Sequence, residues 1–274
     1  MSEGFIKGII GDGFLTEVIL TAFTRQIGGS FSDTYVYCKT SRRCQELLEQ
    51  YNVRAVQNPM VFVPPAKILI LAIELEEANQ LLPQITDKVA DDVILISVVQ
   101  GLKIAEIEKY FPGKAVIRLI LNPWIISGVG VSSYFVGSVR SEETANIAKA
   151  LLLSMGEIVE ADSEKELETI GDLITGETMY AYITINALIE GGINAGLPLE
   201  KSKEIATSIF GSTSSTFNDS NDIAKYVLER GYKKTDYLKQ GKEILDKYNV
   251  MTNLQKSFVE HSEAKNIFKF RYRW

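Results

Sequence analysis

Histidine is nearly missing from this chain of 274 residues: His261 is the single one, and cysteine occurs only at Cys38 and Cys44. That scarcity excludes hydrolysis built on a histidine-bearing triad, and any metal site drawn from histidine and cysteine. Long apolar runs are also missing, since none approaches the roughly 18–20 residues of a membrane-crossing helix. The opening MSEGFIKGII has no basic stretch followed by a long apolar core, so no secretory signal is expected. An excess of positive charge is absent too. With 29 Lys+Arg against 35 Asp+Glu the net charge is −6, which argues against nucleic acid or an anionic membrane surface as partner. The two cysteines lack the C-x-x-C spacing of a redox pair, and the expectation is free, partly buried thiols in a cytoplasmic protein. What remains is an ordinary globular composition, 46% hydrophobic and 23% charged, in a chain long enough for one or two domains.

The first 160 or so residues alternate short apolar runs with stretches of helical period. FIKGIIG (5–11), TYVYC (34–38), KILILAI (67–73), VILISVV (93–99) and AVIRLIL (115–121) read as strands, and GEIVEA (156–161) as an edge strand. The continuous apolar runs among them are those of parallel strands covered on both faces. Helices are expected over 16–27 and 41–51. Such alternation predicts a doubly wound α/β sheet. From Ser163 the texture turns helical, with Asp162 or Ser163 and Glu166 forming a helix start. The expected division is an α/β domain over 1–160 and an all-helical domain over 161–274.

The first strand runs directly into Gly11-Asp12-Gly13-Phe14-Leu15-Thr16 and then a helix. In a dinucleotide-binding loop the first glycine makes the tight turn and the second lets backbone approach a pyrophosphate at the helix N-terminus. Two residues strain that reading: Thr16 stands where Gly or Ala packs best, and Asp12 would repel pyrophosphate unless it turns outward. The second strand ends not in the acid that holds an adenosine ribose but in Lys39-Thr40-Ser41-Arg42-Arg43. Cations and hydroxyls suit a 2′-phosphate, so NADP is the favoured cofactor; the alternative is a set of solvated helix-start residues.

Together these stretches resemble the pyrroline-5-carboxylate reductase family, which catalyses the last step of proline synthesis. Ile10-Gly11-Asp12-Gly13 with Glu17 lies where the family has I-G-x-G-N-M-x-E, and Lys39-Thr40 matches its Arg-Thr after the second strand. Leu71-Ala72-Ile73 matches its L-A-V, Ser97 and Gly101 its S-x-x-x-G, and Arg118 with Asn122 its R-x-M-P-N. Tyr180 and the stretch Ala187-Leu188 to Gly196-Leu197-Pro198 resemble its Y-x(6)-A-L-x(3)-G-x(3)-G-L-P. The resemblance implies a Rossmann-type sheet domain followed by a helical dimerisation domain, in a homodimer or higher homo-oligomer. The implied chemistry is hydride transfer from NADPH to the C=N carbon of a small cyclic imine. Implied cofactor contacts are Gly11, Gly13, Phe14, Leu15, Lys39, Thr40, Ala72 and Asn122. Implied substrate contacts are Thr175, Gly176, Glu177 and Thr178, with Tyr180 beside them. No general acid is identified and no metal is expected.

The departures from the family fall on functional positions. Phe14 replaces the loop Asn, Glu74-Leu75 the Lys-Pro, and Ile120-Leu121 the Met-Pro. The donor-rich V-x-S-P-G-G-T-T loop aligns best with 227–234, where Lys233 and Lys234 take the place of threonines. Those lysines either hold a substrate carboxylate by charge or sit solvated on a helix start. A family member that has lost catalysis and acts as a dimeric binding or scaffold protein is therefore the alternative function, along with a reductase of another substrate.

Overall fold

The structure, a computed structural model, describes residues 6–27, 33–127, 130–139, 141–153, 156–176, 178–219 and 236–264. The chain divides into two compact units, Met1–Thr175 and Gly176–Trp274.

In the first unit every sequence-predicted strand is present. The elements run β1 (Lys7–Ile10), α1 (Phe14–Ile27), β2 (Thr34–Tyr37), α2 (Ser41–Tyr51), β3 (Arg54–Val56), β4 (Ile68–Leu71) and α3 (Leu75–Ile85). They continue through β5 (Ile94–Ser97), α4 (Ile104–Tyr110), β6 (Ala115–Ile120), β7 (Val131–Val136), α5 (Glu142–Leu153), β8 (Glu157–Glu160) and α6 (Glu164–Gly176). The eight strands form one sheet in the order β3-β2-β1-β4-β5-β6-β7-β8. β7 runs antiparallel to β6, while β8 returns parallel to β7. Successive side chains of a strand point to opposite faces, and the core follows that alternation. Ile9 and Ile70 join α1 and α2 through Val18, Phe23 and Leu47 on one face. Ile10 and Leu71 join α3 and α4 through Ala78, Leu82 and Ile107 on the other. At roughly 1.5–3 kcal/mol for each buried aliphatic side chain, these two layers supply most of the drive that holds the strand ends in place.

The helical texture begins where predicted. Ser163 Oγ accepts the Glu166 N–H at 3.1 Å and Glu166 accepts the Asp162 N–H at 2.8 Å, which fixes the start of α6. This helix stays with the sheet. The buried Arg118 of β6 donates to Glu164 at 2.8 Å and Glu168 at 3.0 Å, and Asn122 Nδ2 donates to the Ile174 carbonyl at 3.0 Å.

The second unit contains α7 (Thr178–Asn194), α8 (Leu199–Asp219), α9 (Asp236–Lys247) and α10 (Val250–Ala264). α7 ends in a turn closed by the Leu197 N–H on the Gly192 carbonyl at 2.9 Å. Ser202 of α8 then donates back to the Ile189 carbonyl at 2.7 Å. Among the described residues no helix is long and apolar enough to cross a membrane.

Candidate active site

β1 lies between β2 and β4, so the strand order reverses at its carboxyl end, and the loop that leaves it opens into the crevice formed there. Gly11 sits at φ +134°, and a Cβ built on it would lie 2.0 Å from the Ala72 carbonyl oxygen. Only glycine fits that turn. Ala72 is thus brought against the loop. Gly13 is exposed, and a Cβ there would meet nothing within 4 Å, which leaves its backbone open to a ligand at the start of α1.

Both residues that strained the loop reading have a structural answer. Thr16 is fully buried, and its hydroxyl donates to the Gly11 carbonyl at 2.9 Å, so the larger side chain becomes a brace for the turn. The Asp12 carboxylate is tied to the end of β2, where it accepts the Lys39 N–H at 2.8 Å, while the Asp12 carbonyl accepts from Arg43 Nε at 2.9 Å. Leu15 packs partly buried against the core and Phe14 is exposed.

At the end of β2, Thr40 caps α2 by accepting the Arg43 N–H at 3.2 Å. The three cations of this segment each meet carboxylates. Lys39 Nζ lies 2.6 Å from Glu77 of α3, Arg42 lies 2.9 Å from Glu46, and Arg43 pairs with Glu17 and, at 3.2 Å, with Glu46. The Glu77 hydrogen bond raises the Lys39 pKa above the usual lysine range against a partial burial that lowers it, and Asp12 adds to the rise. Burial works against the Arg43 charge, and Glu17 and Glu46 more than offset it. Arg42 and then Arg43 hold Glu46 below the ordinary carboxylate range.

The cysteines correct an expectation. Cys38 and Cys44, read as free thiols, form a disulfide. The reason is the short passage from β2 into α2, which folds the segment back so that their Cα atoms lie 5.6 Å apart, within bridging range. The bridge encloses Lys39 to Arg43 and fixes the backbone on which all three cations stand.

Asn122 follows β6 at the same edge of the sheet, three strand spacings or roughly 14 Å from β1. It is buried, and besides its bond to Ile174 it accepts the Trp124 N–H at 2.9 Å. Its side chain therefore positions the chain after β6 and the end of α6. Thr175, at that end, donates to the Gly171 carbonyl at 2.7 Å. Gly176 closes α6 and Thr178 opens α7, and Tyr180 is hydrogen-bonded through its hydroxyl to Ser257 of α10. Glu177, Lys233, Lys234 and the rest of 227–234 lie outside the described residues. Sequence reading missed the carboxylates that answer the cations; a glutamate pair in the first turn after β4, Glu76-Glu77, was the available signal.

The chain is similar to known proteins in sequence and in fold. Residues 7–101 match the family described as NADP oxidoreductase coenzyme F420-dependent. The pyrroline-5-carboxylate reductase of Glycine max is 26% identical over 208 residues, 75% of either chain. That of Synechocystis is 27% identical over 210 residues, 73% of this chain and 74% of the relative. The solved pyrroline-5-carboxylate reductase of Coxiella burnetii shares the fold at a TM-score of 0.80 and 16% identity, covering 98% of this chain and 100% of that one. The Plasmodium falciparum pyrroline carboxylate reductase, solved with NADP bound, does so at 0.77 and 18% identity, covering 96% and 98%. In its sequence and in its fold this chain is thus similar to the pyrroline-5-carboxylate reductases.

Proposed function

We propose that this chain is an NADPH-dependent reductase of a small cyclic imine of the pyrroline-5-carboxylate type. The observation that carries the reading is the loop from Gly11 to Thr16: it keeps one glycine pressed on Ala72, a second left open, and a carboxylate tied to the Lys39 N–H. The residues present fit a dinucleotide. Gly13 and the first N–H groups of α1 would hold the pyrophosphate, since the leading N–H groups of a helix have no partner within it. Lys39 and Thr40 would take the 2′-phosphate. Asn122 would fix the wall beside the nicotinamide end. When bound, the reduced nicotinamide supplies a hydride to the C=N carbon, and with one proton the imine becomes a secondary amine. The chain's own part is to orient, to hold the substrate and to exclude water; Thr175, Gly176, Glu177 and Thr178 are the proposed substrate contacts.

The same reading includes a second copy of the chain. α7 is rich in apolar residues yet buries none of them, and Met179, Tyr182, Ile183 and Leu188 stand exposed. Apolar side chains exposed along a helix in this number are covered in a homodimer at lower cost than they are left in water. The experiment is a steady-state assay with NADPH and pyrroline-5-carboxylate, in which oxidation of cofactor and formation of proline are followed together. Equal rates support the reading. Absence of oxidation above the substrate-free blank rejects it and favours a binding or scaffold role.

A further inference from the structure

The Lys39–Glu77 pair joins the two sides of the crevice above β1. Lys39 leaves the end of β2, Glu77 lies in the first turn of α3 after β4, and β1 runs between those strands. An adenosine placed on the Gly11–Gly13 loop would lie against this bridge. Three cations, Lys39, Arg42 and Arg43, share this corner with four carboxylates, Asp12, Glu17, Glu46 and Glu77. The corner therefore supplies its own counter-anions. Arg43 is held on two elements at once, by Glu17 of α1 and Glu46 of α2, and its Nε is committed to the Asp12 carbonyl. Lys39 differs from Arg43: its side chain is 55% exposed against 24%, and among the described residues its one ion pair is to Glu77, so it exchanges more readily than Arg43. The Cys38–Cys44 bridge fixes the backbone beneath it, so exchange occurs by re-pairing of the side chain and not by movement of the turn.

We propose that Glu77 is a specificity-determining residue for the cofactor: it holds the Lys39 ammonium across the crevice, and a 2′-phosphate gains Lys39 only by displacing that carboxylate. This rests on the dinucleotide reading of the site. A cofactor with a bare ribose diol makes no demand on Lys39 and leaves the pair intact. Glu77 thereby narrows the preference for NADPH over NADH that Lys39 alone would confer. An exposed ion pair changes an equilibrium by a factor of a few, and the nearby negative charge adds repulsion toward phosphate.

The test is a fluorescence titration of NADPH and of NADH into the full-length wild type, Glu77→Gln, Lys39→Gln and the double variant, each checked for an unchanged melting temperature. Glu77→Gln is expected to tighten NADPH about three- to tenfold while NADH changes less than about twofold. In the Lys39→Gln background the gain is expected to vanish. If NADPH binds the wild type and Glu77→Gln leaves its affinity unchanged or weaker, the role of Glu77 is overturned and the dinucleotide site stands. Equal shifts for NADPH and NADH, or a gain that persists without Lys39, overturn it as well. If neither nucleotide binds wild type or Glu77→Gln, the dinucleotide reading and the role of Glu77 fall together. Binding seen only after Glu77→Gln supports both.

Discussion

Thr16 donates its hydroxyl proton to the carbonyl oxygen of Gly11 across the first turn of α1, at 2.9 Å and in full burial. The residue that departs from the small-residue pattern of a dinucleotide loop is the one that braces its turn. Replacement by valine keeps the volume and removes the donor, so the Gly11 carbonyl loses a buried partner. The expected cost is about 1–2 kcal/mol, read as a fall in melting temperature of roughly 3–6 °C. Thr16→Ser, which keeps the hydroxyl, is expected to lose less. A valine variant as stable as wild type would show that the bond contributes nothing to the fold.

The Cys38–Cys44 bridge predicts that protein purified without reductant and unfolded in denaturant reacts with no thiol reagent, and that reduction exposes both of its cysteines. Closing so short a segment stabilises the fold by about 2 kcal/mol through the unfolded chain, so reduction is expected to lower the melting temperature by several degrees. Two reactive thiols before reduction would restore the free-cysteine reading.

Tyr134 of β7 donates to Glu160 of β8 at 2.7 Å, and burial, with the carboxylate beside it, raises its phenol pKa to about 12. Folding thus favours the protonated ring. The stabilisation is complete below the ordinary tyrosine value of about 10 and is lost as pH rises toward 12. An ultraviolet titration of the folded protein should show one phenol ionising after the exposed tyrosines, and Tyr134→Phe should remove that late component. A titration unchanged by the substitution would place Tyr134 among the ordinary tyrosines.

The uncovered apolar residues of α7 predict a dimer. Light scattering after size-exclusion chromatography should give twice the mass of the 30.5 kDa chain, and Ile183→Asp should shift the population toward monomer. A wild type that is monomeric at high concentration would leave those side chains without a role in association.

Much of the sheet was legible because its signal is local. Buried parallel strands are continuous apolar runs, and Ile68–Leu71 and Ile94–Ser97 are buried at every position. β3 escaped because it has three residues, and β7 because the paired serines Ser132 and Ser133 break its apolar pattern although both are buried. Gly11 was legible as well, since its positive φ and its close approach to Ala72 leave a residue-type signature. What the sequence hides is pairing across the crevice. Lys39, Arg42 and Arg43 read as cations awaiting a phosphate, and only three-dimensional neighbours separated by up to 38 positions reveal Glu17 and Glu77 as their partners. The disulfide was hidden for the same reason: its spacing is not that of a redox motif, and only the turn between β2 and α2 brings the sulfurs together.

A dinucleotide on the open face of Gly13 is what every functional assignment here rests on. The measurement is a calorimetric titration of NADPH into wild type and into Gly13→Ala, a substitution for which the fold has room. Wild type should bind with a dissociation constant on the order of micromolar. Gly13→Ala should bind at least tenfold more weakly with its melting temperature unchanged, because the added methyl stands where the pyrophosphate approaches. Equal affinity in the two proteins, or no heat of binding in wild type and in Glu77→Gln alike, would mean that this loop does not hold the cofactor.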